Sequence, residues 1–270
     1  MKLIKRLKKS IFAESLARIK KNKKKTLCIL LFDLLFVAAV YAFTTILKSV
    51  IPANPEFYLS VFKSAGSFLT FVALFYVVYV LVLIFIYTFF KYHVLYYVKS
   101  IIEKTRFNYK SLWKFFALNV LLFVILFVLF VIIALIHSYW VREAAKPYFA
   151  KVVIILFLLF SYVVVNTAHS MFAWQKKKKI MNTVKKMFGI IFTKPKNYFW
   201  QLVFAVAVFA VFSAIVFLTG FFIDYIILGG KGATKEFAMA YNAVLMIITA
   251  IMIYCVAFAN RVYFYLSVNK

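Results

Sequence analysis

The sequence predicts an all-α fold: a polytopic membrane protein with six transmembrane helices in three hairpins and basic amphipathic cytoplasmic helices between them. Three observations lead there. Hydrophobic residues make up 66% of the chain and aromatic residues 21%, more apolar surface than a water-soluble domain can hide. The apolar residues gather into runs longer than the roughly 20 residues a helix needs to cross a bilayer. The connections between the runs are alternately rich and poor in lysine.

The six predicted spans are Thr26–Leu47, Ala65–Phe90, Leu112–Ile136, Tyr148–Trp174, Tyr198–Ile223 and Phe237–Asn260. Each is too long, and too continuously apolar, for a strand of a membrane barrel. They define a membrane domain over 26–260, preceded by a basic amphipathic segment over 1–25 and followed by a short tail over 261–270. The apolar run after Lys25 is too long for the core of a cleavable signal peptide. Neither terminus carries a lipidation motif.

The charge pattern orients the spans. Of the 34 Lys and Arg residues, 27 fall in the N-terminal segment, the connections after the second and fourth spans, and the last tail; the remaining seven fall on the other side. By the positive-inside rule both termini are cytoplasmic, and the expected location is the cell membrane of a prokaryote. Lys is preferred over Arg and accompanied by abundant Phe and Ile, as an AT-rich genome would encode. The formal charge of +27 does not point to nucleic acid, because these lysines lie between membrane spans. Their expected partners are anionic lipid headgroups, a membrane protein partner or a second copy of the chain. The residues expected to make those contacts are Lys20, Lys21, Lys23, Lys24 and Lys25, then Lys176, Lys177, Lys178, Lys179, Lys185 and Lys186.

The hairpins begin near Thr26, Leu112 and Tyr198, 86 residues apart in each case, and their returning spans near Ala65, Lys151 and Phe237 keep that spacing. A fixed period suggests a duplicated hairpin unit. A basic amphipathic stretch precedes each hairpin. Val94, Leu95, Val98, Ile101 and Ile102 recur at helical spacing, with Lys99 and Glu103 on another face. Ile180, Val184, Met187, Phe188 and Ile191 do the same opposite Lys185 and Lys186, before Lys194-Pro195 ends the pattern. Such stretches are expected to lie in the headgroup layer; the alternatives are cytoplasmic extensions of the spans and docking to a partner. The aromatic residues Trp113, Phe115, Phe116, Tyr198, Phe199 and Trp200 follow at the membrane entries.

Ionisable and amide side chains inside spans are costly and point to function. Asp33 is the one acid within an apolar interior, about 6 Å to the cytoplasmic side of its span's centre at 1.5 Å per residue. Asn119, Asn166 and His169 fall at similar depths, and Asn119 stands one 86-residue period after Asp33. The four form a candidate intramembrane polar site. It can serve proton or cation coupling through Asp33, or interhelical hydrogen bonding that holds the bundle together. Ala207, Ala210 and Ala214 on the fifth span, and Ala243, Ala250 and Ala257 on the sixth, are small-residue stripes expected to be packing seams, within the bundle or between protomers.

Enzyme chemistry is not expected. No metal-binding helix, nucleophile elbow or P-loop is present, and Gly229-Gly230-Lys231-Gly232 has the wrong spacing for the last. His93, His137 and His169 are too scattered to bind a metal, the two cysteines sit inside spans, and no cofactor is implied. With so few polar residues to line it, a wide aqueous pore is not expected either.

Ser111-Leu112-Trp113-Lys114-Phe115-Phe116 enters a span directly after a basic helix, and Lys194-Pro195-Lys196-Asn197-Tyr198-Phe199-Trp200 does so again. In this the chain resembles six-helix prokaryotic integral membrane proteins, in the style of the membrane domain attached to glycerophosphodiester phosphodiesterases. The resemblance implies the architecture; the soluble catalytic domain has no counterpart here, so no activity comes with it. Two functional classes follow: a membrane-embedded scaffold or accessory subunit that binds lipid or a partner, and a small transporter or permease component built around Asp33. The apolar interior favours the first.

The orientation is open to direct measurement. In intact cells a membrane-impermeant maleimide is expected to label a cysteine placed at Gly232 and to reach one at Lys177 only after lysis; labelling of Lys177→Cys from outside would reverse the topology.

Overall fold

The computed structural model describes residues 11–50, 61–62, 64–105, 108–141, 146–175, 179–193, 195–223, 225 and 235–269. Among these residues the long elements are all α-helices, and no strand occurs. In chain order they are α1 (Ile11–Lys21), α2 (Lys23–Val50), α3 (Ala65–Ile102), α4 (Leu112–Trp140), α5 (Lys146–Trp174), α6 (Ile180–Thr193), α7 (Pro195–Phe222) and α8 (Lys235–Asn269), with a 3-10 turn at Tyr109–Ser111 leading into α4.

Local chemistry sets the ends. Pro195 opens α7 and Pro147 is the second residue of α5, positions where the missing N–H has no helical partner to lose. Ser64 caps α3 reciprocally: its Oγ accepts from the Ser67 amide at 3.2 Å, while the Ser67 hydroxyl accepts from the Ser64 amide at 3.3 Å. Asn22 separates α1 from α2, its Nδ2 donating to the Arg18 carbonyl at 2.9 Å.

Five helical segments are long and apolar enough to cross a membrane: Lys23–Val50, Ala65–Ile102, Tyr109–Trp140, Tyr148–Trp174 and Met239–Val268. The fifth span expected from the sequence, Tyr198–Ile223, falls mainly on α7. There the apolar segment is the shorter Val206–Phe222, because the side chains of 194–202 and 204–205 lie outside the described residues.

The chain divides into two compact units, Ala17–Phe188 and Met1–Leu16 with Gly189–Lys270. In the first, α2 and α3 are joined by aromatic rungs. Phe32 stacks on His93 with centroids 4.7 Å apart, Phe36 meets Tyr87 at 5.8 Å, and Phe43 stacks on Tyr79 at 5.8 Å. The rungs run in opposite order along the two helices, so α2 and α3 are antiparallel. The same order relates α4 to α5, through Phe115 with Phe172, Phe130 with Phe157, and His137 with Phe149.

Burial in this unit is concentrated at one end. On α3 the buried residues run from Thr88 to Ile101, on α4 from Phe115 to Leu122, and on α5 from Val163 to Ala173. This is the end whose connections carry the lysines. The opposite halves of the same helices expose Leu69, Leu74, Val128, Leu135, Ile155 and Leu158. Lipid is as apolar as leucine, so nothing drives those halves together.

The second amphipathic stretch is placed differently from the expectation. Val94 to Ile102 is not a separate helix in the headgroup layer but the continuous end of α3, which at 38 residues is about 57 Å long, nearly twice the hydrocarbon thickness. Its apolar face enters the protein: Val94 and Val98 are each 1% exposed. The physical reason is that this face finds protein partners at the same height and has no need of lipid. On α6 the pattern holds, with Val184 and Met187 buried and Lys185 and Lys186 exposed, yet here too the apolar face is covered by protein.

Basic side chains close the ends of α3 and α5. The Arg18 guanidinium donates to the Ile102 carbonyl at 3.0 Å, Lys25 Nζ to the Ser100 carbonyl, and Lys99 Nζ to the Ala173 carbonyl at 2.9 Å. The last four carbonyls of a helix have no intrahelical donor, and a cation there also meets the negative end of the helix dipole.

In the second unit α7 and α8 meet through Tyr241. Its hydroxyl donates to the Val216 carbonyl at 3.4 Å, lies 3.2 Å from Thr219 Oγ1, and rests against Gly220. The alanine stripes do not form this seam. Ala207, Ala210, Ala214, Ala243 and Ala250 are exposed and Ala257 half-buried. At 100° per residue both stripes point away from the Tyr241 contact. Nearer the chain's end, Asn260 and Val262 through Ser267 are buried.

Removal of a carbonyl cap is therefore expected to cost more than a change on an alanine stripe. Arg18→Ala and Lys25→Ala should each destabilise the detergent-solubilised protein by about 1 kcal/mol, and Ala210→Leu by less than about 0.5 kcal/mol, read by thermal unfolding followed with a thiol- or dye-based fluorescence assay.

Candidate functional site

The buried polar group of the first unit is assembled from three helices. Asn119 lies in the first turns of α4, two turns after the exposed Trp113. Its Nδ2 donates to Thr88 Oγ1 of α3 at 2.9 Å. That commits its carbonyl oxygen to the other side, where it accepts from His169 Nε2 of α5 at 2.7 Å. An oxygen acceptor requires hydrogen on Nε2, so the contact selects the imidazole tautomer. Thr88, Asn119 and His169 are 0%, 6% and 1% exposed. Phe115 packs edge-on against the imidazole with centroids 4.9 Å apart, and Tyr87 lies 6.0 Å from it.

In a medium without water, each polar atom paired in this way avoids a penalty of several kcal/mol. The arrangement cross-links three helices at one depth.

Of the four residues expected from sequence, the structure brings Asn119 and His169 into direct contact. Asn166 is half-buried, and its Nδ2 donates to the Tyr162 carbonyl on its own helix at 2.8 Å. Asp33 is half-buried on α2, one residue after Phe32, which stacks on His93 of α3. Phe36 reaches Tyr87 and Phe90 on one side of α3, whereas Thr88 points to α4 on the other. Phe36 and the Thr88–Asn119 bond therefore lie on different sides of α3.

Thr88 was missed by sequence reasoning. The signal was a hydroxyl in an apolar run at the depth of Asn119, but hydroxyls are common in spans because they also bond to their own helix. A second polar contact was missed at the α3–α4 connection. His93, 7% exposed, lies with Nε2 3.3 Å from the Tyr109 hydroxyl and Nδ1 2.8 Å from the Phe89 carbonyl. Phe115, expected at the membrane entry as an interfacial aromatic, is instead fully buried, while Trp113 is 66% exposed.

The expected lipid-contact lysines divide. Lys20, Lys21, Lys23, Lys24, Lys179, Lys185 and Lys186 are exposed. Lys25 is half-buried and caps α3 through Ser100. Lys176, Lys177 and Lys178 lie outside the described residues. Among the described residues no group of three His, Cys, Asp or Glu side chains is placed to hold a metal ion. Cys28 and Cys255 are free thiols.

No family model, curated protein or solved structure matches this chain. The likeness to the membrane domain of glycerophosphodiester phosphodiesterases therefore assigns it to no family. What stands is its class: a protein of several apolar membrane-compatible helices, three of them, α3, α4 and α5, joined by a buried polar group.

Asn119→Ala is expected to destabilise the protein by about 1–2 kcal/mol. In a Thr88→Ala background the same change should cost measurably less, because the two residues share a bond. Additive losses in a double-mutant cycle, measured by unfolding in mixed micelles, would show that the contact contributes nothing.

Proposed function

We propose that this chain is a non-catalytic, membrane-embedded scaffold or accessory subunit of a prokaryotic cell membrane. It crosses six times in three hairpins, with both termini cytoplasmic, and its lysine-rich face binds lipid or a protein partner. The sixth crossing is supplied by α7, which at 28 residues is about 42 Å long and thus sufficient for the hydrocarbon core. The lysine bias supports the orientation.

The observation that carries this reading is the use made of Asn119. Its amide is committed to Thr88 at one end and His169 at the other, which is what an interhelical brace requires and what a transport site, open to exchange with a substrate, does not. The exposed lysines of α6 and of the α1–α2 junction stand free of such bracing and face outward.

Transport is the competing reading, and Asp33 favours it: a half-buried acid within a span is costly to keep. The two readings predict opposite outcomes. With the full chain recovered from membranes by an affinity tag, neutralising Lys176 to Lys179 together is expected to reduce co-purifying partners several-fold, while Asp33→Asn leaves recovery, expression and growth unchanged. Intact partner recovery in the lysine variant, together with a growth defect in Asp33→Asn, would favour transport and overturn the scaffold.

A further inference from the structure

The connection between α3 and α4 is built as a platform. Tyr92, on α3, donates its hydroxyl to the Asn108 carbonyl. One residue on, the buried His93 meets the Tyr109 hydroxyl at 3.3 Å, with the two rings in an edge-to-face arrangement. Asn108 Oδ1 accepts from the Lys110 amide at 2.9 Å. The turn is thereby pinned from beneath to a helix that continues into the core of the unit.

What the turn presents is aromatic and cationic. Tyr109 is 58% and Trp113 66% exposed, and Lys110 and Lys114 are exposed beside them. Trp113 is steadied on its inner side by Phe85 and Phe116, with centroids 5.8 Å and 6.1 Å away. Immediately after Lys114 the chain enters the apolar run of α4, which fixes the platform at the height where hydrocarbon gives way to headgroups. Charge compensation from the protein is scarce. Among the described residues of Ala17–Phe188 the acids are Asp33 and Glu103, and Glu103 already lies 3.8 Å from Lys99.

We infer that Tyr109, Lys110, Trp113 and Lys114 form a docking surface for an anionic phospholipid headgroup. The inference deepens the scaffold reading by naming its lipid partner, and it rests on that reading's placement of this end of α4 at the cytoplasmic surface. Lys110 and Lys114 face the phosphate and the anionic headgroup. Tyr109 and Trp113 lie at the boundary with the acyl chains, where an amphipathic ring is most stable. Because the turn is held by Tyr92 and His93, the two ammonium groups are brought to the surface with part of their ordering cost already met by folding. A lysine near an anionic surface contributes about 1 kcal/mol, roughly a fivefold preference each.

The test uses the full chain in detergent, with phosphatidylglycerol and phosphatidylcholine of matched acyl chains as probes and bound lipid counted by native mass spectrometry. Wild type is expected to retain phosphatidylglycerol over phosphatidylcholine. Lys110→Gln/Lys114→Gln should lower that preference roughly tenfold or more, while Lys48→Gln/Lys151→Gln, at exposed lysines of the lysine-poor end, leaves most of it. A second measurement guards against misfolding of the variant. In phosphatidylcholine vesicles, brominated phosphatidylglycerol should quench wild-type tryptophan fluorescence more than brominated phosphatidylcholine does, and Trp113→Phe should remove the excess. Equal retention of the two lipids, equal quenching by them, or an undiminished preference in the Lys110/Lys114 variant would overturn the lipid site. None of these outcomes bears on partner recovery through Lys176 to Lys179, so the scaffold reading stands or falls separately.

Discussion

Helix ends are the points this structure has to satisfy. Within a span every backbone N–H and C=O is bonded to its own helix, so hydrocarbon is tolerated. The last turn cannot do this, because four carbonyls are left over. In the unit of Ala17–Phe188 three such carbonyls, of Ser100, Ile102 and Ala173, receive Lys25, Arg18 and Lys99. The same side chains belong to the lysine-rich connections, so the charge gathered at this end also completes backbone bonding. Each cap reaches from one helix to another and thereby joins α1, α2, α3 and α5 at one height.

The buried core lies at that height. Phe115, Leu118, Val164, Met171 and Phe172 are buried there together with the Thr88–Asn119–His169 group. Farther along, the helices still meet through single aromatic rungs but present leucine, valine and isoleucine outward. Hydrophobic burial cannot explain the difference, since lipid solvates these side chains as well as protein does. Hydrogen bonds and close aromatic contacts can, and they are concentrated at the basic end.

A protein organised in this way has its specific contacts at the boundary where the apolar runs give way to basic connections rather than in the middle of the runs. The turn pinned by Tyr92 and His93, the exposed lysines of α6 and the caps of α3 all belong to that boundary. This distribution is the support for the proposed scaffold, and it leaves Asp33 as the one acid among the described residues of the apolar spans.

Five apolar runs long enough to cross a bilayer were legible in the sequence, because each depends on composition along a single helix and on the thickness of a bilayer. Asn119 and His169 were legible as costly residues at one depth. Their mutual bond, and the part of Thr88 in it, were not, because helix rotation is set by packing against neighbours and leaves no trace in one strand of sequence. The same limit explains why Val94 and Val98 read as a lipid-facing stripe and proved to be core, why Phe115 turned inward while Trp113 turned out, and why Lys25 left the lipid-contact set to cap α3. By itself the sequence determined which solvent each stretch of chain requires. Only the tertiary structure decided which side chain meets which, since in a bilayer many rotations of an apolar helix are nearly equal in energy and a few polar contacts select among them.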